Sequence, residues 1–341
     1  MVYSFEVIQR TNIRYREEAA WLARCELSMM LRALPSEFSD VQVEKLGGVP
    51  FLTFEGPECS PPELTFLRGH SSLALMSEKS GSSLRPLETV SPDYLPEDLP
   101  EVLKYKGKTS VSFTRMMLNI ALSLSGFALS ERPITVMDPL CGKGTTLFCA
   151  LQRGFNAVGL DTDHKAIHEA TEYFSRYLKY HQMKHRLSSR SETLEKGALP
   201  VSEFIVADTR EHFQAGHTRV LSLSTGDTAL SPALVRRKPV QLLVTDFPYG
   251  VKHAPQTGQR TESFRSLLKR ALPAWRKALR PGGILAVSFN TLTLPFSQVA
   301  EALQEAGFKP FLEEPFLHFR HEVEQAVVRD VIFAISDKEE S

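Results

Sequence analysis

Residues 134–146 read ITVMDPLCGKGTT, and this stretch decides the fold. Its first half is an apolar, β-branched run that ends at Asp138-Pro139, which is typical of a buried strand. Its second half is a glycine turn that opens a predicted helix, and Gly154 closes that helix. Glycines let a ligand approach the backbone closely, and the first turn of a helix offers N–H groups to an anion. The stretch therefore predicts a strand, a ligand-binding loop and a helix.

Strand-like runs alternate with helical stretches on both sides of this unit. The other predicted strands are 156–163, 203–208, 241–250 and 282–290, and the predicted helices are 111–126, 145–153, 164–181, 261–279 and 297–306. This alternation predicts a doubly wound α/β sheet. Two extended runs within 309–336 have no helix between them, which predicts an antiparallel edge. The segments 183–200 and 214–239 are predicted to be surface loops.

The chain changes character near residues 79–104, a serine-containing stretch with prolines at 86, 92, 96 and 100. Such a stretch predicts an extended linker. We therefore expect a small N-terminal α+β domain, residues 1–104, and a larger domain, residues 105–341. Residues 1–104 hold 10 Lys and Arg against 16 Asp and Glu, whereas the whole chain holds 40 of each. A phosphate-facing surface is expected on the C-terminal part.

The composition is that of a soluble globular enzyme, with 42% hydrophobic and 23% charged residues. No apolar run approaches the roughly 18 residues that span a bilayer, and the N-terminus lacks the pattern of a signal peptide. The four cysteines have no paired spacing. These features predict a cytoplasmic protein with free thiols, no membrane contact and no metal site.

Two aspartates end the next two predicted strands. Asp161 lies 17 residues after Gly144, where a carboxylate can accept hydrogen bonds from both hydroxyls of a ribose. Asp208 ends the 203–208 run. At the same sheet edge it would accept a hydrogen bond from the exocyclic amine of adenine, and the alternative is a helix cap.

The second motif, Asp246-Phe247-Pro248-Tyr249-Gly250, ends the 241–250 strand. Ligands of open α/β sheets bind beyond the carboxyl ends of the strands. There, Asp246 and the Phe247 carbonyl can accept hydrogen bonds from an amino group, and Pro248 would turn the backbone outward. Tyr249 offers a flat ring on which a base can stack, worth roughly 1–3 kcal/mol. The motif therefore predicts a site for an amino-bearing base.

Together the two motifs resemble those of the class I S-adenosylmethionine-dependent amino-methyltransferases, over about residues 105–336. The loop is similar to the Asp-Pro-x-Cys-Gly-x-Gly-Thr of the branch that methylates RNA and DNA amines. That branch has Asp/Asn/Ser-Pro-Pro-Tyr/Phe as its second motif, and Phe247 stands where its first proline would be. A large apolar residue at that place is similar to the THUMP-associated guanine-N2 methyltransferases of tRNA and their rRNA relatives. Residues 1–104 do not match a THUMP domain.

The resemblance implies a seven-stranded Rossmann-like methyltransferase sheet with S-adenosylmethionine as cofactor. It implies methyl transfer to an exocyclic amine of a base, with guanine N2 in tRNA or another structured RNA as the expected acceptor. Thr109, Ser110 and Phe113 would lie over the methionine end of the cofactor. The other implied cofactor-binding residues are Asp138, Pro139, Cys141, Gly142, Gly144, Thr145, Asp161, Thr162, Asp208, Thr209 and Asp246. The implied catalytic residues are Asp246, Phe247, Pro248 and Tyr249, and Tyr249, Lys252 and His253 are the implied substrate contacts.

In the expected mechanism, Asp246 orients the amine of a flipped base and stabilises the positive charge that develops on it. Two alternatives stay open. The motif also permits a DNA adenine-N6 or cytosine-N4 methyltransferase. The departure at Phe247 motivates a non-catalytic RNA-binding subunit that keeps the cofactor fold. The sequence leaves open whether the chain is a monomer or a homodimer.

Overall fold

The computed structural model describes residues 1–8, 16–105, 108–130, 132–236, 239–248, 256–257, 260–261, 263–317, 319–324 and 327–336. Contacts divide the chain into two compact units. The first is Met1–Asp93 with Arg115–Glu131, and the second is Tyr94–Thr114 with Arg132–Ser341. The division therefore falls ahead of the expected boundary after residue 104. A later segment, residues 115–131, also belongs to the first unit, which the position of the proline-containing linker does not reveal.

The first unit is a small α+β fold, as predicted. Its elements are β1 (Val2–Val7), α1 (Arg16–Arg32), β2 (Gln42–Leu46), β3 (Val49–Glu55), α2 (Pro61–Arg68), β4 (Leu73–Ser80) and β5 (Ser83–Pro86). The strands form an antiparallel sheet in the order β2-β3-β1-β4-β5. Alternate residues of β1, Tyr3 and Phe5, are buried, and the ring of Tyr3 stacks on Phe54 with 5.0 Å between centroids. Strand β1 lies at the centre of this sheet, and its buried apolar side chains contribute to the core of the unit.

The second unit contains the alternating strands and helices. Its first elements are α3 (Leu99–Val102), α4 (Val111–Leu124, which continues into the first unit), β6 (Thr135–Asp138), α5 (Thr145–Gln152), β7 (Asn156–Asp161), α6 (His164–Tyr180), β8 (His185–Thr193), β9 (Ala198–Val206), α7 (Arg210–Ala215) and β10 (Arg219–Thr225). The remaining elements are α8 (Ser231–Leu234), β11 (Val240–Asp246), β12 (Gln256–Thr257), β13 (Arg260–Thr261), α9 (Phe264–Ala278), β14 (Leu279–Asn290), α10 (Phe296–Glu305), β15 (Phe308–Pro310), β16 (His321–Glu324) and β17 (Val327–Ser336).

The large sheet confirms the predicted doubly wound, Rossmann-like α/β fold. Over the described residues, the sheet has ten strands where the resemblance implied seven, because the hairpin of β8 and β9 and the short strands paired with β17 extend its two edges. Its order is β15-β17-β14-β11-β6-β7-β10-β9-β8, and β16 pairs with β17. Strands β14, β11, β6, β7 and β10 are parallel. The chain runs outward from β6 through β7 to β10 and then returns to β11 beside β6. The carboxyl ends of β6 and β11 therefore flank the topological switch point, where ligands of open α/β sheets bind.

The C-terminal end of the chain forms the predicted antiparallel edge. Strand β17 pairs antiparallel with β14, and β15 and β16 pair antiparallel with β17. On one face of the sheet, helices α9 and α10 cover a core that includes Trp275, Leu268 and Phe289, each at most 1% exposed. Among the residues that the structure describes, no helix is both long enough and apolar enough to cross a membrane.

Two segments that were predicted to be loops contain strands. Residues 183–200 hold β8 and the start of β9, which form an antiparallel hairpin. Strand β8 is polar and mostly exposed, so its sequence lacks the apolar alternation that distinguishes a strand from a loop. Residues 214–239 hold β10, the third strand of the parallel sheet. The 203–208 run, predicted to be that third strand, is instead the end of β9 and runs antiparallel to β10.

Candidate functional site

The candidate site lies at the carboxyl ends of the parallel strands. Asp138 ends β6, Asp161 ends β7 and Asp246 ends β11. The register pairs β6 with both neighbours, and Asp138 lies opposite Gly159 of β7. Because the ends of neighbouring parallel strands share one sheet edge, the fold brings these three carboxyl groups to one side of the molecule.

The glycine loop follows β6 as predicted. Gly142 has φ of +50°, and Gly144, the N-cap residue of α5, has φ of +88°. Both values lie in the left-handed region that favours glycine. The loop is held by Asp161, whose Oδ2 accepts from the Gly142 N–H at 2.7 Å and whose Oδ1 accepts from the Asp163 N–H at 2.8 Å. Burial raises the pKa of the Asp161 carboxyl above its ordinary value.

Asp138 lies beneath the loop and is 3% exposed. Its Oδ1 accepts from the hydroxyl of Thr245 at 2.7 Å and from the Leu140 N–H at 3.1 Å. Burial raises the pKa of this carboxyl to about 7. Burial also raises the pKa of the neighbouring thiol of Cys141 well above its ordinary value, so this cysteine is no thiolate nucleophile. Pro139 is buried beside them. These side chains shape the loop from below.

Tyr105 is a site residue that sequence reasoning missed. Its hydroxyl lies 2.9 Å from the hydroxyl of Thr145, the first residue of α5, and Lys143 Nζ lies 5.0 Å from the centre of its ring. Burial raises its pKa, and the charges of Asp138 and Asp246 raise it further. Tyr105 therefore lies close to both strand ends, although nothing in its sequence context singled it out.

Asp246 is held by groups from three separate parts of the second unit. Its carboxylate accepts hydrogen bonds from the hydroxyls of Thr109 and of Ser288, which lies on β14. Arg329 Nη2, from β17, lies 3.5 Å from Asp246 Oδ2. Thr109 was expected near the cofactor by resemblance, and its contact with Asp246 places it at the switch point. Ser288 and Arg329 were not predicted.

An aromatic layer supports Arg329. The guanidinium carbon lies 4.9 Å from the centre of the Phe113 ring, and the ring of Phe113 lies 5.0 Å from that of His321. Stacking of this kind favours a guanidinium over an ammonium group. Phe113 is 5% exposed. Phe113 therefore contacts Arg329, which in turn contacts Asp246. Ser110, which is exposed, shares a hydrogen bond with Ser112 at 2.9 Å.

The expectation for Asp208 and Thr209 is wrong in its geometry. Val206 lies opposite Arg219, the first residue of β10, so the end of β9 is at the amino edge of the parallel strands. Asp208 there accepts from the Thr209 N–H, and Thr209 caps α7. The carboxylate that follows β10 at the site edge is Asp227, which the predicted loop concealed. The signal was the alternation of apolar residues in VLSLST, followed by Gly226-Asp227.

The remaining predicted residues divide into three groups. Thr162 is exposed directly after β7. Phe247 is 1% exposed, and its N–H donates to the Ser288 carbonyl at 2.8 Å, so its ring belongs to the core and its backbone to the strand edge. Pro248 follows it. Tyr249, Lys252 and His253 lie outside the described residues.

This arrangement has a defined chemical capacity. The loop of Gly142 and Gly144 leaves an open approach to the backbone on one side of the switch point, since a Cβ on Gly142 would meet nothing within 4 Å. On the other side, Asp246 is a carboxylate fixed on three sides. Such a site can hold a ligand against the loop and a hydrogen-bond donor against the carboxylate at the same time.

No family model matches the chain, and no curated protein matches it in sequence. Among solved structures it is similar to TrmN from Thermus thermophilus, at 18% identity over 86% of this chain and 59% of that one, with a TM-score of 0.39. It is also similar to RsmC, a 16S rRNA N2 methyltransferase from T. thermophilus solved with AdoMet and guanosine, at 15% identity over 95% of this chain and 61% of that one, with a TM-score of 0.38. A third is a TehB-like SAM-dependent methyltransferase from Corynebacterium glutamicum, at 16% identity over 62% of this chain and 84% of that one, with a TM-score of 0.34. The chain spans about three fifths of the length of the first two structures.

Proposed function

We propose that this chain is an S-adenosylmethionine-dependent methyltransferase that acts on an exocyclic amine of a nucleic-acid base. The proposed acceptor is guanine N2 in tRNA or another structured RNA. The observation that carries the proposal is the placement of the glycine loop and Asp246 on the two sides of one topological switch point. A methyl donor on the loop and an amine on the carboxylate would then be neighbours.

The residues on the β6 and β7 side fit the proposed cofactor. Asp161 is a carboxylate at the end of β7, the place from which a ribose is held in dinucleotide-binding sheets. Gly142, Gly144 and Thr145 provide the close approach and the helix N-terminus that a carboxylate group needs. The contact with adenine proposed from sequence for Asp208 passes to Asp227, because Asp227 is the one that follows a parallel strand at this edge.

The chain's own contribution to the reaction is positioning and charge. Bound S-adenosylmethionine supplies a methyl group that is already activated by the sulfonium. Asp246 accepts a hydrogen bond from the acceptor amine and stabilises the positive charge that develops on it. Thr109, Ser288 and Arg329 fix the carboxylate so that little reorganisation is needed when that charge appears.

Substrate contacts are proposed on the chain that follows Asp246. Tyr249 would stack on the flipped base, and Lys252 and His253 would contact its backbone. Residues 1–104 are proposed to help dock the RNA. The Phe247 carbonyl is proposed as a second acceptor for the amine.

One observation favours a second candidate function. Side chains of this chain already bind the carboxylate of Asp246, which is what a purely structural aspartate would show. In that case the chain would bind the cofactor and RNA without transferring the methyl group, as a subunit of another enzyme. Both functions predict that the chain binds the cofactor, but only the first predicts that it transfers the methyl group.

Two measurements test the proposal. Calorimetry with S-adenosylmethionine should show binding by the wild type. In Asp161→Ala we expect that binding to weaken by roughly 1.5–3 kcal/mol, the worth of a charge-assisted hydrogen bond. Asp161→Asn is the milder partner variant, because its amide oxygen can still accept from the Gly142 N–H.

The second measurement is transfer of labelled methyl groups to bulk tRNA, bulk rRNA and DNA, with mass spectrometry of the product nucleosides. N2-methylguanosine in RNA supports the proposal. Methylated adenine or cytosine in DNA would identify a DNA base, and not guanine in RNA, as the acceptor. Cofactor binding without transfer to any of these nucleic acids would support the non-catalytic function. Label on a ring carbon, a ribose oxygen or a protein would contradict amine methylation.

A further inference from the structure

Tyr105 lies at the glycine loop, and the proposed mechanism does not use it. Its side chain has one contact with the loop and one with the start of α5. The Tyr105 hydroxyl lies 2.9 Å from that of Thr145, and Lys143 Nζ lies 5.0 Å from the centre of the Tyr105 ring. Lys143 is itself paired with Glu169 on α6. Both the ring and the hydroxyl of Tyr105 are therefore held where the methyl donor is proposed to bind.

Thr109, four residues after Tyr105, contacts the other side of the switch point. Its hydroxyl donates a hydrogen bond to the carboxylate of Asp246. Two further partners of this carboxylate, Ser288 and Arg329, lie on strands β14 and β17 of the sheet. Thr109 lies outside the sheet, so its position depends on the segment that leads into α4. The orientation of the Asp246 carboxylate therefore depends in part on that segment.

Lys108 links Tyr105 to Thr109. The Lys108 N–H donates to the Tyr105 carbonyl at 3.3 Å, and Lys108 Nζ donates to the Pro100 carbonyl at 2.5 Å. Because Lys108 directly precedes Thr109, a shift of Tyr105 is passed on through the backbone to the Thr109 hydroxyl. The segment that begins at Tyr105 and ends at Thr109 thus joins the glycine loop to the proposed catalytic carboxylate.

We propose that Tyr105 is a positioning residue for methyl transfer, which couples the glycine loop to Asp246 through Thr109. This inference rests on the proposed function and extends it to a residue outside both sequence motifs. The contacts of Tyr105 fix the hydroxyl of Thr109, and that hydroxyl holds the carboxylate of Asp246 in the orientation that the acceptor amine needs. Removal of the Tyr105 hydroxyl should therefore slow the transfer step and leave the cofactor affinity unchanged.

The test separates the transfer step from cofactor binding. Single-turnover transfer from saturating S-adenosylmethionine to bulk tRNA, bulk rRNA or DNA gives the rate, and calorimetry gives the dissociation constant of the cofactor. In Tyr105→Phe we expect a rate about fivefold slower, the effect of one lost hydrogen bond, with a dissociation constant within about twofold of the wild type. Tyr173→Phe is the matched control, because it removes a tyrosine hydroxyl that donates to the Leu99 carbonyl. It should leave both quantities unchanged.

A double-mutant cycle tests the path through Thr109. Thr109→Val removes the hydroxyl that donates to Asp246, and we expect it to slow transfer about tenfold. If Tyr105 acts through Thr109, the protein with both Tyr105→Phe and Thr109→Val should be no slower than Thr109→Val alone. Effects that multiply, to about fiftyfold, would show that the two residues act independently and would overturn the coupling.

The other outcomes distinguish failure of this inference from failure of the proposed function. Wild-type transfer by Tyr105→Phe would overturn the positioning role and leave the proposed function standing, and weaker cofactor binding in the same variant would make Tyr105 a cofactor contact. Equal slowing in Tyr173→Phe would show that the rate follows the loss of any tyrosine hydroxyl from this part of the fold, which also overturns the role. If the wild type binds S-adenosylmethionine and transfers no methyl group to any of these nucleic acids, the proposed reaction is wrong and the role of Tyr105 falls with it.

Discussion

The guanidinium of Arg329 lies 3.5 Å from the carboxylate of Asp246 and 4.9 Å from the centre of the Phe113 ring. The side chain of Arg329 is only 4% exposed, and that of Asp246 is 18% exposed. A buried cation needs a compensating anion. Asp246 therefore has a structural task in addition to its proposed catalytic one, and substitutions at this position change both.

This double task predicts different results for two substitutions of Asp246. Asp246→Ala removes the carboxylate beside a buried arginine, and we expect it to lower the free energy of unfolding by about 3 kcal/mol. Asp246→Asn also removes the charge beside Arg329 but keeps an acceptor for Ser288 or Thr109, so it should cost less than Asp246→Ala, about 2 kcal/mol. Both should slow methyl transfer about 10²–10³-fold, because the developing charge loses its counterion.

Urea unfolding and single-turnover methyl transfer on the same preparations separate the two tasks. Thr293→Ala, a change in the exposed turn after β14, serves as the control and should leave both quantities unchanged. Wild-type turnover by a folded Asp246→Asn protein would mean that the catalytic group has been misplaced.

The reversal of β9 predicts which aspartate contacts the cofactor. Asp227→Asn should weaken binding of S-adenosylmethionine about three- to tenfold, since a neutral acceptor holds an amine less tightly than a carboxylate does. Asparagine can still cap the 3₁₀ turn that begins at Thr228, but it loses the ion pair of Asp227 with Arg270. Because both side chains of that pair are about one third exposed, folding should be weakened by at most about 1 kcal/mol. Asp208→Asn is the control at the opposite sheet edge and should bind the cofactor normally. Calorimetry that ranked the two variants the other way would contradict the assignment.

Asp138 predicts a pH dependence of stability. Burial raises the pKa of its carboxyl from 3.8 to about 7, so the folded protein binds this proton more tightly than the unfolded chain does. The stabilisation from that proton is complete below about pH 4 and is lost as the pH rises through about 7. The stability of the wild type relative to Asp138→Asn should therefore fall across this interval.

Chemical unfolding without cofactor, at several pH values between about 4 and 8, would measure this difference. Asp163→Asn, which changes a carboxylate at the N-cap of α6 and leaves Asp138 in place, should follow the wild-type profile. Parallel profiles for the wild type and Asp138→Asn would show that this proton is bound equally in both states.

The surroundings of Phe247 predict how much stability is lost when it is replaced by the proline found at this place in the Asp/Asn/Ser-Pro-Pro-Tyr/Phe motif. Its ring is buried and its N–H donates to the Ser288 carbonyl, so Phe247→Pro loses both. We expect a loss of at least about 3 kcal/mol in the free energy of unfolding, as for other buried phenylalanines. Phe247→Leu keeps the N–H and most of the volume and should cost less than about 1.5 kcal/mol. Thermal unfolding would compare them, and a stable proline variant would show that the surrounding core adapts.

The parts of the site that were predictable from sequence are local ones. The strand, glycine loop and helix of residues 135–152 and the aspartate that ends β7 depend on neighbours within about 20 residues. Strand β10 was missed because Ser222 and Ser224 are buried in it. The hydroxyl of Ser224 donates to the carbonyl of Pro200, which lies on β9 within the segment 183–200 that the sequence predicts to be a loop.

The unpredicted residues around Asp246 are distant from it in sequence. Ser288 and Arg329 lie 42 and 83 positions from it, and no pattern in a single sequence pairs them. Their relation to Asp246 is set by the order of the strands, which brings β17 and β14 to the switch point. The same strand order explains Asp208. An aspartate that follows a strand lies at the site edge only if that strand runs parallel to β6, and β9 runs the other way.

The hairpin of β8 and β9 has a consequence for how the folded protein behaves at high concentration. The middle of strand β10 is buried, and without the hairpin its backbone N–H and C=O groups would form an open edge lined by Leu221 and Leu223. Such edges are templates for strand pairing between molecules, and natural proteins blunt them with charge. The hairpin moves the edge outward to β8, which carries Arg186, Arg190 and Glu192 and is mostly exposed. Its presence thus guards the protein against edge-to-edge aggregation, at a place well away from the proposed chemistry.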